Sequence, residues 1–271
     1  GAAEDQPGEG VPALARRAAK AAAGPFAAGR PLPADRRADH LLAAAQALDS
    51  TRHRLARAAA EEVGAAPDWV HFNTDLAIET LRQAASLAPL LSDRHVESTT
   101  RGTRSILRRE AAGVVLGIAP WNAPVMLAVR CFAAPLICGN TVVVKGSEHC
   151  PLTHQLIVNA VNEAGMPAGV VNIVNNPPSL SHAVVADLIA HPAVRRINFA
   201  GSTRVGREVA MEAARHLKPC LLELSGKAPM IVLEDADLDA AVDAAIFGAF
   251  FNQGQICMST ERIVVVDAVA D

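Results

Sequence analysis

From residue 113 onward, short apolar runs alternate with helical segments, and this alternation restricts the possible folds more than any other feature. The runs GVVLGIA, TVVVK, GVVNIV and RRINFA begin at residues 113, 141, 169 and 195. Helical patterns occupy 124–137, 152–165, 179–190 and 203–216. Continuous apolar strands separated by helices are typical of a parallel sheet that is covered on both faces. The sequence therefore predicts an α/β fold built on a doubly wound parallel sheet.

The segments on either side of this pattern have a different character. Before it, Ala-, Arg- and Leu-rich sequence predicts one helix over 33–64 and another from Pro67 to near Leu91. The Thr- and Arg-rich stretch 97–110 alternates in part and predicts an exposed β ribbon. After it, a second α/β unit begins, with predicted strands at 229–233 and 262–266 and a helix over 238–251.

Charge and aromatic content argue against two classes of partner. The net charge is −3 and aromatic residues make up 3%, with no tyrosine, so we expect no nucleic-acid partner. The most apolar long stretch, 125–138, contains Arg130 and Pro135 and is too short to cross a bilayer, so we expect no membrane partner.

The cysteines indicate a reducing compartment, and the histidines give no sign of a metal site. The five cysteines are odd in number and contain no Cys-x-x-Cys pair, which predicts a cytoplasmic protein without a disulfide framework. The stretch 1–10 has no secretory pattern. The nine histidines are scattered, and we expect no metal site.

Polar residues collect where the predicted strands end. Trp121 and Asn122 follow the first strand, Lys145 and Glu148 follow the second, and Ser202 opens the helix after the fourth. Ligands of open parallel sheets bind at this edge, and a helix N-terminus there offers N–H groups to a phosphate. Each residue also has an ordinary reading: Asn122 as a turn residue, Lys145 as a surface lysine, Ser202 as a helix cap.

Two further motifs carry reactive side chains. In CLLELSGKAP, Glu223 lies in apolar strand sequence, where partial burial would raise its pKa toward that of a general base. The alternative reading is a surface glutamate at the end of a strand. In FFNQGQICMST, Cys257 follows a polar Asn-Gln-Gly-Gln segment. A free cysteine is more often part of the core than a nucleophile, so the residues alone leave both readings of Cys257 open.

The motifs PWNAP, GNTVVVKGSE, FAGSTRVG, LELSGKAP and FFNQGQICMST stand in the order and approximate spacing of the aldehyde dehydrogenase family, which the chain resembles from about residue 30 to 271. The resemblance implies a Rossmann-like NAD-binding domain over 1–222, with 97–110 as an oligomerisation arm. It implies an incomplete catalytic domain over 223–271. The phrases GIAPWNAPVMLAVR and NQGQICMSTER most resemble members that act on aromatic aldehydes.

The resemblance implies a role for each reactive residue. Cys257 would attack the aldehyde carbon to give a thiohemiacetal, with the Asn122 amide and the Cys257 backbone N–H holding the oxyanion. Loss of hydride to NAD would leave a thioester, and Glu223 would activate the water that hydrolyses it.

The resemblance also implies a cofactor site. Lys145 and Glu148 would grip the adenine ribose, and the Glu148 carboxylate would favour NAD over NADP by repelling a 2′-phosphate. Ser202 would meet the pyrophosphate, and Arg130 would lie near the substrate mouth. The other implied cofactor-binding residues are Trp121, Gly201 and Gly206.

The sequence departs from the family in one respect. The Glu-x-Phe-Gly-Pro motif that orients the nicotinamide ribose in the family has no counterpart here, so we expect a fragment or a truncated relative. The complete protein is expected to be a homo-oligomer, a dimer or tetramer. Three alternatives to aldehyde oxidation with water remain: a CoA-acylating aldehyde dehydrogenase, a non-catalytic nucleotide-binding or interaction fragment, and a cofactor-free thiol hydrolase.

Overall fold

The computed structural model describes residues 11–27 and 32–270, so the outer limits of the two predicted domains, residues 1 and 271, lie outside the described residues, as does the stretch 1–10. Eight α-helices and nine strands are formed within the described ranges. In chain order they are α1 (Val11–Ala27), α2 (Ala34–Val63), α3 (Pro67–Ser86), β1 (Arg94–Val96), β2 (Ser105–Leu107), β3 (Val114–Ile118), α4 (Pro124–Ile137), β4 (Thr141–Lys145), α5 (Pro151–Glu163), β5 (Val171–Val174), α6 (Ser181–Ala190), β6 (Val194–Gly201), α7 (Thr203–Arg215), β7 (Cys220–Leu224), β8 (Pro229–Val232), α8 (Leu238–Phe250) and β9 (Arg262–Val265).

The central sheet has five parallel strands in the order β5-β4-β3-β6-β7, which confirms the predicted α/β class. Every residue of β3 and β4 is buried, as their continuous apolar sequence predicts. Ile118 at the end of β3 lies opposite Lys145 of β4 and Phe199 of β6. The chain leaves β3 for β4 and β5 on one side and returns to β6 and β7 on the other. The strand order therefore reverses between β3 and β6, the place where open α/β sheets bind ligands.

The two faces of the sheet are covered by different helices. Helices α2 to α5 share one apolar cluster, in which Phe132 and Leu48 are fully buried. Helices α1, α6 and α7 contribute to the other, with Leu116 and Ile189 at its centre. Burial of each such side chain stabilises the fold by about 1.5–3 kcal/mol. Helix α1 falls in the part of the chain for which the sequence predicts no helix boundaries, and its alanine stripe (Ala15, Ala19, Ala22) is fully buried.

Two local features fix helices against this sheet. A Cβ on Gly117 of β3 would lie 2.4 Å from the Cβ of Cys131, so only glycine lets α4 pack this closely. The carboxylate of Glu62, on α2, accepts hydrogen bonds from the backbone N–H groups of Leu152 and Thr153 at 2.7 and 2.9 Å. Helix α5 is thereby capped by a residue from another element.

The remaining elements differ from the prediction in detail. Helix α3 ends at Ser86 and is followed by a 3₁₀ turn over Ala88–Leu91. The exposed ribbon is the antiparallel pair β1–β2, which begins at Arg94 rather than 97. Strands β8 and β9 pair in parallel, and α8 has no buried residue. No helix in the described part of the chain is both long and apolar enough to span a bilayer.

Candidate active site

The carboxyl edge of the central sheet opens into a cleft of about 600 Å³. Its walls come from the segments that follow β3, β4 and β6 and from the facing sides of α6 and α7. The structure thus brings together five of the residues proposed from the sequence: Trp121, Lys145, Glu148, Gly201 and Ser202. A volume of this size is within the range of small-molecule and cofactor sites.

Lys145 and Glu148 form an ion pair in this cleft. The side chain of Lys145 is 4% exposed, so its reading as a surface lysine is wrong. Glu148 also accepts a hydrogen bond from the Ser181 hydroxyl. Burial tends to raise the pKa of the Glu148 carboxyl, but the hydrogen bonds from Lys145 and Ser181 outweigh it and lower the pKa. Glu148 therefore presents a stable negative charge to the cleft.

A buried imidazole supports the loop that carries this pair. Nδ1 of His154 accepts a hydrogen bond from the backbone N–H of Ser147 at 2.9 Å. Burial lowers the pKa of His154 to about 4, against the opposing effect of a hydrogen bond to the Pro124 backbone. The Cys150 thiol lies 3.7 Å from Nε2, and burial raises its pKa to about 12, so it is not activated.

Cys150 and His154 were not predicted as part of the site, although their i, i+4 spacing is visible in the sequence. Within the described ranges, no group of three or more His, Cys, Asp or Glu side chains is arranged to hold a metal ion.

The turn that follows β6 contains a helix cap and two tightly packed glycines. The Ser202 hydroxyl caps α7 by accepting a hydrogen bond from the Val205 N–H at 3.3 Å. A Cβ on Gly201 would lie 2.7 Å from the Phe199 ring, and one on Gly206 would lie 2.5 Å from the Leu224 side chain. Packing therefore accounts for both glycines, while the first turn of α7 faces the cleft.

Asn122 is held by three hydrogen bonds. Its side-chain Nδ2 donates to the backbone carbonyl of Gln255 at 2.8 Å. Its backbone carbonyl accepts hydrogen bonds from Trp69 Nε1 at 2.9 Å and from Asn252 Nδ2 at 3.2 Å. Trp69 and Asn252 are both buried, at 5% and 8% exposure. These bonds join the end of β3 to α3 and to the segment that leads to Cys257. No local sequence signal identifies Trp69, whereas Asn252 lies within the FFNQGQICMST motif.

The segment before Cys257 is conformationally strained. Asn252, Gln253 and Gly254 have φ values of 49°, 53° and 72° in succession. A non-glycine residue in this left-handed region costs on the order of 1–3 kcal/mol and is often found at functional sites. The ring of Phe251 anchors the segment, with its centroid 5.0 Å from that of Trp69 and 4.8 Å from that of Phe247. Cys257 follows this anchored loop and is exposed, so the reading of Cys257 as a core residue is wrong.

The expected partial burial of Glu223 is also wrong. Glu223 and Leu221 share the exposed face of β7, whereas Cys220, Leu222 and Leu224 are half-buried on the other face. β7 is the outermost strand of the described sheet, and the face that carries Leu221 and Glu223 is exposed to solvent. Glu223 lies opposite Ala200 of β6, one position before the last pair of the ladder.

Trp121 lines the cleft, whereas Arg130 does not. The Trp121 ring meets the His149 ring edge-on, with a centroid separation of 6.0 Å. Arg130 projects from α4 and is exposed, and its carbonyl accepts a hydrogen bond from Asn198 at 3.4 Å. The structure does not join Arg130 to Asn122 or Cys257 by a hydrogen bond within the described residues.

Comparisons of sequence and of structure with known proteins match aldehyde dehydrogenases. The sequence profile of the aldehyde dehydrogenase family matches residues 8–271. A vanillin dehydrogenase from Pseudomonas sp. strain HR199 is 56% identical over 88% of this chain and 49% of its own length. The crystal structure of a salicylaldehyde dehydrogenase from Pseudomonas putida G7, complexed with salicylaldehyde, superposes with a TM-score of 0.93 at 47% identity, covering 96% of this chain and 54% of that one.

A third relative is the crystal structure of an NAD-dependent benzaldehyde dehydrogenase from Corynebacterium glutamicum, with a TM-score of 0.87 and 36% identity. That match covers 95% of this chain and 56% of the other. The chain spans about half the length of the relatives it matches.

Proposed function

Because the chain belongs to the aldehyde dehydrogenase family, we propose that it provides the cofactor site and reacting groups for NAD-dependent oxidation of an aromatic aldehyde to its carboxylic acid. The relatives that are similar over most of this chain carry names of vanillin, salicylaldehyde and benzaldehyde dehydrogenases, which supports an aromatic substrate.

The observation that carries this proposal is the hydrogen bond between Asn122 Nδ2 and the Gln255 carbonyl, at 2.8 Å. It brings the amide of Asn122 to the loop that carries the exposed thiol of Cys257. An asparagine Nδ2 has two hydrogens, and Gln255 takes one of them. In this proposal the second, together with the Cys257 N–H, would hold the oxyanion that forms when the Cys257 sulfur bonds to the carbonyl carbon.

The steps that follow use this chain's own groups in turn. Bound NAD would supply the acceptor for the hydride that leaves the substrate carbon. Glu223 would then take a proton from water as the water oxygen attacks the thioester carbon, and the Cys257 thiolate would leave. The exposed position of Glu223 gives it direct access to water.

The volume and the donor chemistry of the cleft support a dinucleotide ligand. It combines the Lys145–Glu148 pair, suited to ribose hydroxyls, with the first turn of α7, suited to a phosphate. The negative charge of Glu148 favours a 2′-hydroxyl over a 2′-phosphate, and we therefore propose NAD as the cofactor.

Residues 1–222 and 223–271 are proposed as the cofactor-binding domain and as part of the catalytic domain. The ribbon β1–β2 leaves Val96, Ile106 and Leu107 exposed, which supports its proposed role as an arm between subunits of a homo-oligomer. The free state of all five cysteines supports a cytoplasmic location.

A nicotinamide-reduction assay with vanillin or salicylaldehyde tests the proposed activity. Cys257→Ala should abolish aldehyde-dependent NADH formation, and Cys138→Ala, which removes another exposed thiol, should leave it within about twofold. If the Cys257→Ala variant formed NADH as fast as the unmodified protein, the assignment of Cys257 as the nucleophile would be refuted. A strict requirement for added CoA would instead support the CoA-acylating alternative.

A further inference from the structure

Two side chains from different parts of the fold donate to one oxygen of Glu148, and a third lies near that oxygen. Lys145, at the end of β4, and Ser181, the first residue of α6, both bond to Oε1. Nδ2 of Asn176 reaches the same oxygen at 3.5 Å. The carboxylate is thus restrained from two elements, of which only β4 belongs to the motif recognised in the sequence.

The orientation of the Ser181 hydroxyl is fixed by Asn176. Nδ2 of Asn176 donates to the Ser181 oxygen at 2.9 Å and to the Pro177 carbonyl at 2.8 Å. An amide Nδ2 can only donate, so the Ser181 proton must point at Glu148. The result is a directed relay from Asn176 through Ser181 to the carboxylate.

This relay bears on cofactor choice because discrimination needs a charge at a fixed position. With Lys145 as its only partner, the carboxylate could pivot about a single ion pair and move away from an added phosphate. The second restraint from α6 prevents that movement. Ser181 also lines the cleft, so the restraint acts at the place where the ribose would lie.

We propose that Ser181, oriented by Asn176, is a specificity-determining residue that holds the Glu148 carboxylate against a 2′-phosphate. This inference rests on the proposed cofactor site. Residue Ser181 itself is a positioning residue, since it acts through Glu148. The lowered pKa of Glu148, to which the Ser181 bond contributes, is consistent with this role.

The test is calorimetric titration of the protein with NAD and with NADP. Replacement of Ser181 by alanine removes a hydrogen bond to a charged group, so the ratio of the NADP Kd to the NAD Kd should fall about five- to tenfold. Ser181→Thr keeps the hydroxyl and should restore most of the ratio. Asn176→Ala should lower the ratio in the same direction. Ser179→Ala, at an exposed serine outside the cleft, should leave the ratio unchanged.

Glu148→Gln separates failure of this inference from failure of the proposed site. If Glu148→Gln lowers the ratio and Ser181→Ala leaves it within twofold of the unmodified protein, the role of Ser181 is refuted while the cofactor site stands. If Glu148→Gln has no effect, or if the unmodified protein binds neither dinucleotide, the cofactor site is refuted and the inference with it.

Discussion

His154 links the protonation state of one buried side chain to the stability of the cofactor edge. Its ring is fully buried and accepts a hydrogen bond from Ser147, beside the Lys145–Glu148 pair. Its folded-state pKa of about 4 lies below the value of about 6.5 expected in the unfolded chain. Between these two values the unfolded state binds more protons, so this group's contribution to stability is complete above pH 6.5 and is lost as the pH falls toward 4.

We expect the free energy of unfolding to decrease by about 3 kcal/mol through His154 alone when the pH is lowered from 6.5 to 4. Urea denaturation at successive pH values measures this. His154→Gln should be less stable at neutral pH but should have a flatter pH dependence over the same window. His182→Gln, which removes an exposed imidazole, should keep the original slope. An unchanged slope in the His154→Gln variant would show that another group titrates.

Helix α5 depends on a carboxylate that lies 90 residues earlier in the chain. Glu62 bonds to the N–H of Leu152 and to both the N–H and the hydroxyl of Thr153. These bonds satisfy N–H groups that a helix leaves without partners in its first turn. The negative charge of Glu62 also interacts favourably with the positive end of the helix dipole. Glu62 thereby ties α2 to the helix that contains His154.

Glu62→Gln should lower the free energy of unfolding by about 1–2 kcal/mol, because it removes the charge and one of the acceptor oxygens from the cap. Glu61→Gln is the matched control. Glu61 lies beside Glu62 on α2, is exposed and pairs with Arg57 on the same helix at 2.9 Å, so the loss of its charge should cost about 0.5 kcal/mol or less. Chemical denaturation of the two variants compares them directly. Equal losses would contradict the capping role.

The strands of the central sheet were predictable because their signal is local. Continuous apolar runs separated by helices gave β3 to β6 and the edge to which Trp121, Lys145 and Ser202 belong. Contacts between distant segments were not predictable in this way, because no periodicity specifies them. Trp69 meets Asn122 across 53 residues.

The burial of individual side chains was also not predictable from local sequence. The apolar context of Glu223 indicated a partly buried strand, but alternation places Glu223 on the open face of the outermost strand. Conversely, Ser181 carries no motif, and only the fold brings it to Glu148. The roles of Glu223 and Cys257 stay predictions until they are tested by substitution.

At the scale of the whole chain, exposed apolar side chains are concentrated on a few elements. Large apolar side chains are exposed on β7, β8, α8 and β9, among them Leu221, Ile231, Val242, Ile246, Phe247, Phe250 and Ile263. Helix α8 has no buried residue within the described ranges, although its sequence is almost wholly apolar. Exposed patches of this kind promote association, as do open strand edges.

We therefore expect the 271-residue chain to self-associate, with a sedimentation coefficient that rises with concentration. Ile246→Lys should weaken the association because it places a charge within the patch. Leu217→Lys, at a leucine that is 93% exposed in the turn between α7 and β7, should not. A monodisperse monomer at all concentrations would contradict this expectation.

We propose that Cys257 forms the covalent acyl intermediate of aldehyde oxidation. The most direct measurement is peptide mass spectrometry of the Glu223→Gln variant after incubation with NAD and salicylaldehyde, since hydrolysis should stall once the thioester has formed. We expect the mass of the salicyloyl group on the peptide that contains Cys257, together with one equivalent of NADH. NADH formation without that adduct, or an adduct on Cys138 instead, would contradict it.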